Sequence, residues 1–229
     1  MSLNFLITGT DTGVGKSTVG CALGFALRAR GMRVGVMKPA ETGCEERGEI
    51  GAGVLEPADA RALALASGCG LPLDLICPYR YPSPIAPPAA AERDALAPPD
   101  PARIARCFRE IASVSDAVLV EGAGGLAVPI AWGFDYADLA AQLGLPLIVV
   151  IANKLGCLNA AMLTFSYARA KRLEIAGWLL NDVEPAATPA ALTNAASLAR
   201  MTDVPRLGTM RHKEPLAKSV VEKLLARAL

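Results

Sequence analysis

"LITGTDTGVGKSTVG", Leu6–Gly20, decides how the rest of the chain is read. It approaches the phosphate-binding pattern G-x-x-x-x-G-K-[ST], whose first glycine would fall at Thr10, but the glycine stands one place earlier, at Gly9. The loop is therefore one residue longer than the pattern, while its chemical elements remain. "FLITG" before it reads as a buried strand, and Lys16 to about Arg30 reads as a helix, which is the context a phosphate loop requires. Glycines allow backbone N–H groups to turn inward and approach phosphate oxygens closely. The start of the helix adds its dipole. Lys16 is placed to reach the β and γ phosphates, and the Ser17 hydroxyl to ligate Mg²⁺. Thr12, Gly13, Val14, Gly15 and Thr18 complete the candidate nucleotide loop. An ordinary glycine-rich turn between strand and helix is the bland alternative, and it does not account for Gly-Lys-Ser at the helix start.

Working outward, short apolar runs alternate with Ala/Leu-rich segments. Strands are expected at "RVGVMK", "ICPYRY", "DAVLVEGA", "PLIVVIAN", "IAGWLLND" and "VPRLGTM". Helices are expected over 58–66, 101–113, 135–143, 158–172, 188–200 and 215–228. Continuous Val/Ile/Leu strands interleaved with helices predict a three-layer α/β fold, a mainly parallel sheet with helices on both faces, like that of phosphate-loop NTPases. No repeat or linker interrupts residues 1–229, which read as one domain. Pro78–Pro101 carries eight of the 17 prolines, but the strand–helix pattern resumes directly after it, so it reads as a rigid excursion over the sheet edge.

Apolar residues make up 52% of the 229, enough for a substantial core. Lys plus Arg (23) balance Asp plus Glu (22), which removes the general electrostatic footprint of a nucleic-acid binder. Six scattered cysteines without a C-x-x-C pair read as reduced thiols, and the one histidine, His212, excludes a His-rich metal site. The longest apolar run, Leu143–Ala152, is about half a membrane span and contains Pro146. With no signal-like N-terminus, the expectation is a cytoplasmic protein with neither nucleic-acid nor membrane partner.

Other residues bear on the same chemistry. Glu121 is expected to end the strand "AVLVE", at the ligand crevice of a parallel sheet, where it can hold Mg²⁺; a strand-end acid capping a turn is the alternative. Gly122, Ala123 and Gly124 after it let backbone approach a ligand. Lys38 ends the second strand and is followed by Pro39, so it either faces the crevice beside Lys16 or is a solvated strand-end lysine. Two ammonium groups there suit phosphoryl transfer, in which charge develops on phosphate oxygens. Thr42 offers a hydroxyl to a polar substrate. Asp59 either caps the helix after Pro57 or turns to the crevice, with Glu41, Glu45, Glu46, Glu49 and Glu56 as nearby competitors. Gly156 and Cys157 open a helix with free N–H groups or form a routine loop, and Cys157 has no histidine base nearby in sequence. Asn181 ends a strand, and its amide either matches an adenine edge or serves a turn.

"GTDTGVGKST" resembles the lengthened phosphate loop of the dethiobiotin synthetase family, shared in part with the ATP-dependent cobyrinate and cobyrate amide synthases. "KPAETG" (38–43), "PADARALA" (57–64), "VEGAGG" (120–125), "NKLGCLNAAMLT" (153–164) and "GWLLNDV" (177–183) follow in the family's order. The resemblance covers most of the chain to about residue 183, thinning between 69 and 112. The amide synthases usually carry an additional glutaminase domain, so the first family also matches better in length. Partitioning and switch ATPases of related fold often place a lysine near the loop's first glycine, where this chain reads "TGTD".

The resemblance implies ATP- and Mg²⁺-dependent ureido ring closure on 7,8-diaminononanoate with CO₂, giving dethiobiotin, ADP and phosphate through a carbamate and a carbamic-phosphoric anhydride. It selects Asp59 as the third Mg²⁺ ligand beside Ser17 and Glu121. Lys16 and Lys38 become the catalytic cations, and Thr12, Lys38 and Thr42 the contacts to diamine or carbamate. Gly156, Cys157 and Asn159 are implied at a homodimer interface that shares the substrate site, and Asn181 and Arg211 at the adenine. Some members carry Glu where this chain has Gly13, so any role of that side chain is absent here.

Overall fold

In Leu147–Ala152 all six side chains are buried, and they alternate between two cores: Leu147, Val149 and Ile151 on one side, Ile148, Val150 and Ala152 on the other. That is how a strand covered on both faces is built. The computed structural model describes residues 3–48, 53–185 and 188–227. Six strands form the central sheet: β1 (Leu3–Gly9), β2 (Val34–Met37), β3 (Ala117–Gly125), β4 (Leu147–Ala152), β5 (Ile175–Asn181) and β6 (Arg206–Met210). Their order is β6-β5-β4-β1-β3-β2, and every pairing is parallel.

Helices α1 (Lys16–Arg28), α2 (Ala58–Ser67) and, near the C-terminus, Lys218–Leu225 bury Leu23, Leu63 and Val221 against one face. Helices over Pro101–Ser113, Tyr136–Leu143, Cys157–Ala170 and Pro189–Met201 bury Phe108, Leu139, Phe165 and Leu198 against the other. The three-layer, parallel architecture expected from the alternation is the one observed. Every strand's C-terminal end points to the same edge. The chain leaves β1 toward β2 on one side and later returns past β1 to β4 on the other, so a crevice opens at that edge beside β1.

Two expectations are corrected. Glu121 does not end its strand, because β3 continues to Gly125. Its pairing with β1 runs from Ile7 opposite Glu121 to Gly9 opposite Gly125, and the two extra residues are taken up in the Gly-Ala-Gly stretch. Gly124 does this with a φ of 60°. "ICPYRY" is not one strand: Ile76 closes a short helix, Leu73–Ile76, and only Tyr79–Tyr81 is extended. Pro72 starts that helix with φ fixed at −57°, and Pro78 cannot continue it. Tyr79–Tyr81 pairs in parallel with Ala40–Thr42, apart from the main sheet. The C-terminal helix is described as Lys218–Leu225, and its expected end at Ala228 lies outside the described residues.

Candidate active site

The lengthened loop spans Thr10 to Gly15 between β1 and α1. Gly13 and Gly15 hold φ of 73° and 88°, the left-handed region that only glycine enters freely. A Cβ on Gly9 would lie 2.6 Å from Cγ2 of Val14 and 2.9 Å from the Asp11 carbonyl oxygen. The glycine one place early is therefore required by close packing of the loop on itself. Val14 turns inward and is buried, while the amide of Asn181, at the end of β5, donates from Nδ2 to the Val14 carbonyl at 2.9 Å. A Cβ on Gly15 would meet that same nitrogen at 2.1 Å.

Five functional side chains converge beside this loop. Lys38, just past β2, donates from Nζ to Oε1 of Glu121 at 2.5 Å and to Oδ2 of Asp59 at 2.9 Å. Ser17, in the first turn of α1, donates to the same Glu121 oxygen at 2.8 Å. Lys16 folds back over the loop and donates to the Asp11 carbonyl at 3.1 Å. Lys38 is 3% exposed, Lys16 7% and Glu121 0%. Among the described residues, Oε2 of Glu121 is buried without a hydrogen-bond partner.

Burial would lower the pKa of Lys38, but the charges of Glu121 and Asp59 and their hydrogen bonds outweigh it and raise it above the ordinary lysine value. Lys16 moves the other way, to about 8, through burial and then the neighbouring charge of Lys38. Burial raises the carboxyl pKa of Asp59, yet Lys38 more than reverses this and leaves it lowered. Lys38 is thus a fixed ammonium, unable to act as a base while so paired.

These residues line a cavity of about 630 Å³ at the sheet edge, together with Thr12, Gly13, Gly15, Thr18, Glu41, Thr42, Ala123 and Gly124. Most of the expected site is brought together here. Lys38 faces the crevice instead of solvent. Asp59 does not cap α2: its carboxylate accepts from Lys38. Val14 and Gly122 do not line the cavity: Val14 contributes its carbonyl to the loop's tie with Asn181, and Gly122 packs on Tyr136, whose ring would lie 3.3 Å from a Cβ there. Asn181 is buried and engaged with Val14, so it shapes the phosphate loop. Arg211 lines a separate cavity of about 180 Å³ with Asn153, Asp182 and His212. Gly156, Cys157 and Asn159, at the start of the helix Cys157–Ala170, do not line the main cavity within one chain. Pro84, Ile85, Ala86 and Pro87 wall it, so the proline-rich excursion reaches the site itself. The sequence held no cue to that placement beyond the prolines.

A strand, a phosphate loop and a helix start, with a second buried lysine at the same sheet edge, define a phosphate-loop nucleotide-binding protein. A family model described as "AAA domain" matches residues 4–220. The ParA family ATPase from Chlorobium tepidum TLS superposes with a TM-score of 0.55 at 19% identity, over 97% of this chain and 89% of that one. The septum site-determining protein MinD from Pyrococcus horikoshii OT3, complexed with Mg-ADP, does so with a TM-score of 0.51 at 18% identity, over 96% and 86%. At those identities the likeness concerns the fold. Among curated proteins, the ATP-dependent dethiobiotin synthetase BioD of Anaeromyxobacter dehalogenans (strain 2CP-C) is 44% identical over 96% of this chain and 91% of the relative. That of Aromatoleum aromaticum is 40% identical over 91% of this chain and 90% of the relative. The chain belongs to the ATP-dependent dethiobiotin synthetase family.

Proposed function

We propose that this protein is a ligase of biotin biosynthesis that closes the ureido ring of dethiobiotin from 7,8-diaminononanoate, CO₂ and ATP, releasing ADP and phosphate. The observation that carries the reading is the pair of buried ammonium groups, Lys16 and Lys38, lining one cavity with Ser17, Asp59 and Glu121. Such a cavity suits the transfer of a phosphoryl group to an anionic acceptor, because its charges are fixed before the reaction begins.

A neutral amine of the diamine takes up CO₂ as a carbamate, releasing a proton. The carbamate carbon is a poor electrophile because both its oxygens carry negative charge. One of these oxygens attacks the γ-phosphorus of ATP, and the bond to ADP breaks. The second amine then attacks the activated carbon, expelling phosphate, losing a proton and closing the ring. In this scheme Lys16 and the N–H groups of Gly13–Ser17 hold the ATP phosphates. Lys38 balances charge on the carbamate and the moving phosphoryl oxygens. Thr12 and Thr42 orient the diamine or carbamate by hydrogen bonding.

Ser17, Asp59 and Glu121 would hold Mg²⁺. The donor set fits a hard cation, since it joins a hydroxyl to two carboxylates, one with a buried, unpartnered oxygen. When bound, Mg²⁺ supplies positive charge against the β and γ phosphates. The base of ATP is placed by this reading near Asn181 and Arg211. A second copy of the chain would present Gly156, Cys157 and Asn159 to the substrate; the neighbouring Leu155 is 86% exposed. A cytoplasmic location accords with the free cysteines, and among the described residues no helix is long and apolar enough to cross a membrane.

The experiment is ADP release on adding the diamine with bicarbonate, compared with each omitted. Release requiring both, with dethiobiotin identified by mass, supports the proposal. Release dependent on glutamine, or stimulated by DNA or vesicles instead of diamine, overturns it.

A further inference from the structure

Helix α2 begins without a cap of its own. The residue before it is Pro57, which has no side-chain oxygen to accept from the helix's first N–H groups. Its second and third residues, Asp59 and Ala60, nevertheless have partners: the Asp59 N–H donates to Oε1 of Glu41 at 2.8 Å and the Ala60 N–H to Oε2 at 3.0 Å. These are the two donors that an N-cap side chain ordinarily satisfies. Glu41 reaches them from 18 residues upstream, is 6% exposed, and sets a carboxylate against the positive end of the helix.

The placement closes a ring. Glu41 follows Lys38 by three residues on the same segment, and the Asp59 carboxylate that projects from the capped turn accepts from Nζ of Lys38. The path from Lys38 through the backbone to Glu41, to the Asp59 N–H, to the Asp59 carboxylate and back to Lys38 is continuous. Both carboxylate oxygens of Glu41 are used on backbone donors, so its work is done through Asp59.

We infer that Glu41 is a positioning residue: it supplies from another segment the cap that α2 lacks and thereby fixes the direction of the Asp59 carboxylate. The inference rests on the reading of Asp59 as a cation ligand under Proposed function. Partners that orient a ligating carboxylate typically change metal affinity by about 10–100-fold when removed.

The test measures binding of Mn²⁺ in the presence of ADP, by titration calorimetry, to the full chain and to Glu41→Ala, Glu41→Gln, Asp59→Ala and Leu63→Ala. Leu63 is a buried residue of α2 outside the cavity and serves as a control for helix stability alone. Expected is a Mn²⁺ affinity at least about tenfold weaker in Glu41→Ala. Glu41→Gln, which keeps one acceptor oxygen, should fall between Glu41→Ala and the native chain, and Leu63→Ala should bind as the native chain does. An unchanged affinity in both Glu41 variants, with Asp59→Ala weakened, overturns the inference alone. So does an equal loss in Leu63→Ala. An unchanged affinity in Asp59→Ala overturns the cation assignment and the inference with it. None of these readings depends on the diamine, so failure of dethiobiotin formation is seen separately.

Discussion

Lys38 and Glu121 form a buried ion pair, 2.5 Å from Nζ to Oε1, across the gap between two neighbouring parallel strands. Removing one partner leaves an uncompensated charge inside the protein, which costs about 3–5 kcal/mol, whereas removing both is far less damaging. Lys38→Met and Glu121→Gln should each lower the denaturant midpoint strongly. The double variant should lose much less than the sum. Additive losses in chemical denaturation would show that the pair is not energetically coupled.

Turnover should respond differently from nucleotide binding. Lys38→Ala is expected to keep ATP affinity within a few-fold in the presence of Mg²⁺, because Lys16 and the loop amides remain. Turnover should fall by about 100-fold or more, the usual effect of deleting one preorganised charge. Calorimetric ATP binding beside a phosphate-release assay checks both, and near-normal turnover would remove Lys38 from the mechanism.

Gly15→Ala should damage the phosphate loop in two ways. Left-handed backbone costs a residue with a Cβ about 1–2 kcal/mol, and the new Cβ would lie 2.1 Å from Nδ2 of Asn181. ATP affinity should fall by roughly tenfold for each 1.4 kcal/mol that reaches the binding-competent state. Asn181→Ala alone loses the hydrogen bond to Val14, worth about 1 kcal/mol, but in the Gly15→Ala background it makes room. The double variant should therefore bind ATP better than Gly15→Ala. Thermal midpoints and ATP titrations of the four proteins test this.

Away from the site, Arg33 holds Asp116 with hydrogen bonds from its guanidinium and its own backbone N–H, and these keep the Asp116 carboxyl at about 2. A carboxyl lowered by folding stabilises the protein above its unfolded value, 3.8, and that contribution disappears as the pH falls toward about 2. Asp116→Asn should have a lower thermal midpoint than the native chain at pH 7 and pH 5. The gap should narrow progressively below pH 4. A gap independent of pH would mean the carboxylate's charge is not what matters.

Much of the site could be read from the sequence because it rests on local rules. Lys16 and Ser17 are fixed by loop and helix start, and Lys38 and Glu121 by their places on buried parallel strands. Spacing alone cannot tell whether the Asp59 side chain caps its helix or faces the crevice, and only the family resemblance selects the crevice. The structure resolves this through Glu41, whose side chain occupies the capping role and frees Asp59 to face Lys38. The available cue was Pro57, a helix-preceding residue with no oxygen to offer, but the identity of a substitute 18 residues away depends on tertiary packing. The end of β3 is not legible in sequence because a register shift keeps Gly125 paired with Gly9 where propensity would end the strand.

The ladder between Ala40–Thr42 and Tyr79–Tyr81 has a mechanical consequence. Its strands pair with none of the main sheet's, although Ala40, Tyr79 and Tyr81 pack into the core on one face, and it carries the cavity's roof, Pro84–Pro87, just beyond one strand and Lys38 just before the other. The Lys38 N–H is itself tied to the Ile76 carbonyl at 2.8 Å, and the Cys44 N–H to that of Tyr81 at 2.9 Å. Roof and ammonium are thus carried by the two strands of one small ladder, so the chamber's proline wall and its buried cation share a single backbone support.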